Sequence, residues 1–169
     1  MPADNGNIVW GGLANAKFLR HASGSSVAPT SLASQPRCLT YRTVAYRRLG
    51  AIADCKSQAE KPFNLSTRLR MVEYIAMAKA SLAWTAWREK DDAQAEKLAT
   101  EALELWHGVD DPYSFDWMAL WPLIAIAFAR RDIARAIELA TGLLEENQHP
   151  PPEELSSVVR KAKKRRLGT

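Results

Sequence analysis

Between Thr67 and Arg88 apolar side chains recur every three or four positions. Val72, Ile75, Ala76, Leu82, Ala83, Ala86 and Trp87 follow the i, i+3, i+4 spacing of a buried helical face, and only Lys79 interrupts it. The run is rich in Ala, Leu and Met and holds no Gly or Pro, so intrinsic propensity agrees with the pattern. Ser66 stands where an N-cap belongs. Lys90-Asp91-Asp92 reads as a turn, with Asp91 or Asp92 capping a second helix over 93–106. That helix puts Ala95, Leu98, Ala99, Ala102 and Leu105 or Trp106 on one face.

Gly108 stops it. A third helix over about 114–130 directs Trp117, Leu120, Trp121, Ile124, Ala127 and Phe128 inward and carries Pro122 as a kink. Arg131-Asp132 turns the chain into a fourth helix over 133–146, with Ala136, Ile137, Ala140, Leu143 and Leu144 inward. Gly142 inside it costs about 1 kcal/mol relative to Ala unless close packing needs it. After Pro150-Pro151-Pro152, the stripe Leu155, Val158, Val159 and Ala162 predicts a capping helix over about 153–164.

The pattern fails before residue 67. Residues 1–36 are dominated by Gly, Ser, Ala, Asn and Pro, too little apolar periodicity to offset the entropy of ordering. Disorder is the expectation there. An organellar transit peptide, or unrelated sequence fused before the domain by a mis-assigned start, are the alternatives. Residues 39–55 fit either a short strand or an early helix, and Pro62 closes that region. Three segments follow: a largely disordered or irregular basic stretch over 1–66, a helical domain over 67–149, and a capping helix with a basic tail over 150–169.

Charge sharpens this division. The net charge of +4 conceals +5 over residues 1–67, −5 over 68–149 and +4 over 150–169. The basic character therefore belongs to the ends, which argues against a nucleic-acid face across the domain. Cys38 and Cys55 are too few for a disulfide framework, so free thiols in a reducing, cytoplasmic setting are expected. No run of about 18 apolar residues suggests a membrane span.

The two helix pairs repeat one arrangement of small and large residues. Leu82, Ala83, Ala95, Ala102 and Leu103 in the first correspond to Leu123, Ala136, Ile137 and Leu143 in the second. Helix backbones approach closely only where side chains are small. This pattern resembles the tetratricopeptide repeat. It departs where Leu143 stands opposite Ala102 and Ile124 opposite Ala83, and the 41 positions from Ala95 to Ala136 exceed the usual period of about 34. A narrower likeness lies in the runs 83–88, 95–98, 101–106, 113–115, 120–123 and 134–138. These resemble the C-terminal helical repeats of bacterial signalling STAND/AAA ATPases, of the adenylate/guanylate cyclase-linked or transcriptional-regulator type. The likeness implies an all-α, tetratricopeptide-like fold that senses or scaffolds, with chemistry located elsewhere.

Candidate chemistry is sparse. Gly50 to Ser57 approaches a phosphate loop, but Cys55 replaces the second glycine, no buried strand precedes it, and Pro62 curtails the following helix. His21, His107 and His149 are scattered without a nucleophile at a telling spacing. His107 reads as satisfying helix-end carbonyls. Asp91-Asp92 and Asp110-Asp111 read as caps and solvated turns, without calcium-loop spacing. No catalytic, cofactor or metal site is expected. The tryptophans Trp84, Trp87, Trp106, Trp117 and Trp121 divide between core and groove. Trp84 lies off the apolar stripe and reads as an exposed anchor, with Trp87, Trp117 and Trp121 as further partner-binding candidates. Lys161, Lys163, Lys164, Arg165 and Arg166 offer a basic contact.

The expected function is therefore a non-enzymatic module for protein–protein interaction, a scaffold or sensor in bacterial signalling. Its partner is a protein or a second copy of itself, since two helix pairs fall short of the three or so repeats that stand alone. A truncated nucleotide-dependent regulator, or weak nucleic-acid binding through the basic ends, are the alternatives.

Overall fold

The computed structural model describes residues 34–109, 114–145, 148, 156–157, 159–161 and 164. The expectations for the disordered leader over 1–33 and most of the basic tail lie outside them. Helix and turn account for the described residues, with no strand among them. Six helices follow in order: α1 Ser34–Leu49, α2 Ile52–Leu69, α3 Val72–Arg88, α4 Asp92–His107, α5 Trp117–Ala129 and α6 Ile133–Gly142.

The first two helices correct the sequence reading. Residues 34–66 are helical, not irregular. Pro62 sits inside α2 with its ring fully buried, and Ser66 lies in the last turn of α2 instead of capping α3. Proline forfeits one backbone hydrogen bond but does not end the helix where neighbours hold its ring. The apolar period was hidden because polar residues occupy the buried stripe of α1. Thr40 and Thr43 are fully buried, and their hydroxyls donate back to Pro36 O and Thr40 O, each at 2.7 Å. Backbone carbonyls thus satisfy groups that read as solvent-facing.

One turn geometry recurs. Gly50, Lys90 and Arg131 each adopt a left-handed backbone (φ 70°, 70° and 61°) directly after a helix. The next residue then donates its N–H five positions back: Ala51 to Tyr46 O, Asp91 to Ala86 O and Asp132 to Ala127 O, at 2.9–3.0 Å. This is the Schellman closure, which satisfies orphan carbonyls at a helix end. Asp91 and Asp132 then cap α4 and α6, accepting from Gln94 N and Arg135 N at 3.0 and 2.9 Å. Left-handed Lys90 and Arg131 carry strain that glycine would not, so these turns lack the usual sequence marker.

The Gly50, Lys90 and Arg131 turns fall at corresponding places in three helix pairs, α1–α2, α3–α4 and α5–α6; the same closure at Arg70 (φ 56°, Met71 N–H to Ser66 O at 2.9 Å) also joins α2 to α3. Cys55, Ala95 and Ala136 are fully buried at spacings of 40 and 41, as are Ala59 and Ala99, with Ala140 nearly so. The alanines expected at helix contacts, Ala83, Ala95, Ala102 and Ala136, are all completely covered. Each helix packs on its chain neighbour, and α3 also meets α1 and α5. Most of the core is continuous from Val44 in α1 through Met77, Trp106, Met118 and Leu123 to Leu143, and it includes Val159. Gly142 allows α6 to approach α5: a Cβ there would lie 3.1 Å from Leu120 Cδ1.

Two assignments are corrected, Phe128 as inward and Trp84 as exposed. Phe128 is 55% exposed at the end of α5, where the chain turns into α6. Trp84 is only 6% exposed, because α3 packs against α1, α2, α4 and α5. The C-terminal residues 156–157, 159–161 and 164 are helical, within the expected capping segment.

Candidate functional site

The tryptophans converge with two arginines on the odd-numbered helices. Trp84, Trp87 and Arg88 lie three and four positions apart on α3 and so share one side of it. The Arg88 guanidinium sits 5.7 Å from the Trp84 ring and 5.9 Å from Trp87. On the other side, Arg47 of α1 sits 5.8 Å from Trp84 and 5.4 Å from Trp117 at the start of α5. Ring and guanidinium therefore alternate along Trp87, Arg88, Trp84, Arg47 and Trp117. Contacts of this kind contribute about 0.5–1 kcal/mol when exposed and about 2 kcal/mol when desolvated.

Arg47 is the unusual member. It is 7% exposed, and its Nη1 donates to Ala80 O at 3.2 Å. A guanidinium offers five N–H donors, and no carboxylate pairs with it among the described residues. Burial pulls its pKa down to about 9. Cys55 lies nearby, fully buried, with its Sγ 3.8 Å from Thr43 O, and burial pushes its thiol up to about 11 despite the neighbouring cation. The Trp117 Nε1 is buried as well and has no acceptor among the described residues. The interior between α1, α3 and α5 thus gathers donors without matching acceptors. Tyr41 of α1 meets Phe115 edge-on, with ring centroids 6.4 Å apart, and joins the same helices.

The predicted partner residues separate accordingly. Trp87, Trp117 and Trp121 are half-buried, while Trp84 is interior and cannot serve as an exposed anchor. Lys161 and Lys164 are exposed and helical; Lys163, Arg165 and Arg166 lie outside the described residues.

Other sequence signals resolve into structure. Gly50 makes the α1–α2 turn, a helix precedes it in place of a strand, and Lys56 pairs with Glu89 at 2.7 Å. His107 Nε2 lies 3.1 Å from Asp116 Oδ2 and does not cap carbonyls. Burial raises the Asp116 carboxyl and the His107 contact opposes that rise. Lys79, the apparent break in the apolar stripe, meets Glu101 at 2.5 Å, and this contact lowers the Glu101 carboxyl. Among the described residues no three His, Cys, Asp or Glu side chains gather to hold a metal ion. No described helix is long and apolar enough to cross a membrane.

Sequence reasoning missed Arg47, whose local sequence carries no signal beyond its charge. The 40-residue offset was the available signal: it aligns Arg47 with Trp87 and Phe128, a position that is otherwise aromatic. No protein-family model, curated protein or solved structure matches this chain.

Proposed function

We propose that the chain is a tetratricopeptide-like solenoid segment that binds another protein, without catalysis of its own, as a scaffold or sensor in bacterial signalling. The recurrence of one helix pair three times, at an offset of 40–41 residues, carries this reading. Stacked pairs of this kind bury a continuous core between neighbours and leave an extended side face, and such faces serve docking. Half-buried Trp87, Trp117 and Trp121 supply aromatic area along it, the residue type enriched where binding energy concentrates. The period is longer than that of a regular tetratricopeptide repeat. The relation to the C-terminal repeats of signalling ATPases rests on the sequence runs alone.

Three pairs reach the number that normally stands alone, so self-association is no longer required for stability. The test is co-purification from the source organism, followed by reconstitution with the purified partner. Wild type should retain it, and Trp87→Ala or Trp121→Ala should release it with little change in melting temperature. Retention by both variants, or no partner at all, would refute the reading.

A further inference from the structure

We infer that Arg47 and the Trp117 indole N–H form a receptor for one carboxylate, supplied by an acidic side chain of a protein partner. The inference rests on the protein-binding reading above and adds the partner's chemistry. Three observations carry it. First, the Arg47 guanidinium is more than nine-tenths buried and uses a single hydrogen bond of 3.2 Å, leaving donors directed at neither a carboxylate nor another carbonyl among the described residues. Second, the Trp117 Nε1 is a second buried donor without an acceptor among the described residues, on the ring whose centroid lies 5.4 Å from that guanidinium. Neighbouring buried donors lacking an acceptor are stabilised by a group that only accepts. An ionised carboxylate does so, and its two oxygens match the planar guanidinium fork. Third, the surroundings attract such a ligand. Residues 34–70 carry eight Lys/Arg against two acids, and Arg37, Arg42 and Arg48 of α1 are exposed. Their field draws an acidic segment toward α1, while Arg47 and Trp117 hold one of its carboxylates.

The probe is a fluorescein-labelled hexaglutamate peptide titrated with the full chain at 0.15 M ionic strength, read by anisotropy. Saturable binding is expected. Trp117→Phe keeps the ring and deletes the N–H; Arg47→Met keeps the volume and deletes the charge. Each should weaken binding about tenfold or more, the loss of a charge-assisted hydrogen bond. Arg48→Gln, exposed on the same helix, should weaken it less than twofold. Acetate should compete better than chloride at equal ionic strength. Circular dichroism and melting curves confirm that the variants are folded. No binding, wild-type affinity in Trp117→Phe, or equal losses in Arg48→Gln and Arg47→Met would overturn the inference, pointing to water in the receptor or to diffuse charge. If hexaglutamate fails while the reconstituted partner still docks, this inference falls and the protein-binding reading stands.

Discussion

The first helix pair and the two that follow share one backbone plan but fill it differently. In α3–α6 the buried positions are mostly Ala, Leu, Ile, Met and Trp, with Ser81, Thr85 and Pro122 among them, so packing closes most of the core. In α1–α2 the equivalent positions hold Thr40, Thr43, Arg47, Cys55, Pro62 and Ser66, and hydrogen bonds to backbone carbonyls replace much of the apolar contact. A repeat is thus defined by where backbones approach, not by the polarity of what fills the gap. Small side chains at Cys55 and Ala59 suffice to bring α2 against its neighbours, as Ala95 and Ala99 do for α4.

Trp106 and Ser66 test this contrast most severely, since they occupy equivalent ends of α4 and α2. Trp106 is fully buried and its Nε1 donates to Glu73 O at 3.3 Å. Trp106→Ala should cost about 3–5 kcal/mol in urea unfolding. Ser66 Oγ is buried with no partner among the described residues, so Ser66→Ala should be neutral or slightly stabilising. Similar losses at both sites would show that the first pair is packed like the second.

Alkaline pH separates the two unusual groups of the first pair. The folded Cys55 thiol, held at about 11 against an ordinary 9, keeps its proton where the unfolded thiol has lost it. Its contribution is complete below pH 9 and is lost as pH rises through 11. Arg47 acts oppositely: burial holds its folded pKa at about 9, well below the ordinary guanidinium range, so the unfolded chain binds the extra proton above pH 9 and its contribution to stability rises with pH. The two offset in the wild type. Cys55→Ala, which installs the residue found at 95 and 136, should therefore gain roughly 2 kcal/mol on the wild type between pH 9 and 11. Chemical denaturation across that range measures it, and parallel curves for the two proteins would refute the assignment.

At pH 7 the same comparison predicts a gain from removing the buried charge. The positions equivalent to Arg47 hold half-buried Trp87 and exposed Phe128, so neither repeats a buried charge. Arg47→Met should raise stability by about 1–2 kcal/mol, since a desolvated cation without a counter-ion is replaced by an apolar side chain. A loss instead would mean that its stacking on Trp84 and Trp117 outweighs desolvation.

Legibility in the sequence follows the same division. Helices α3 to α6, their turns at Lys90 and Arg131, the capping aspartates and the alanine contacts were readable, because apolar periodicity and cap chemistry agree there. The first pair was not, because Thr, Pro, Ser and Arg on a buried stripe imitate a loop. Trp84 misled for a related reason: a helix covered on several sides has no single apolar stripe, so lying off the stripe does not imply exposure. The pairing of Arg47 with Trp117 was unreadable in principle, since it joins residues 70 positions apart through α3.

The smallest effect probes the register itself. Lys56 of α2 pairs with Glu89 after α3, and Glu96 of α4 pairs with Arg130 after α5, at 2.7 and 2.8 Å. The four residues occupy equivalent positions, offset by 40 and 41, with the charges exchanged. Geometry rather than sign is what the two junctions have in common. Lys56→Glu with Glu89→Lys should thus give the first junction the polarity of the second and remain within about 0.5 kcal/mol of wild type. Each single change should cost a few tenths more than the double, and 0.5 M NaCl should shrink that difference, since all four side chains are roughly half exposed. A double-mutant cycle reads the coupling directly. Coupling that vanishes in the swapped pair would mean that the two junctions differ in geometry, and that the first helix pair is not a copy of the second.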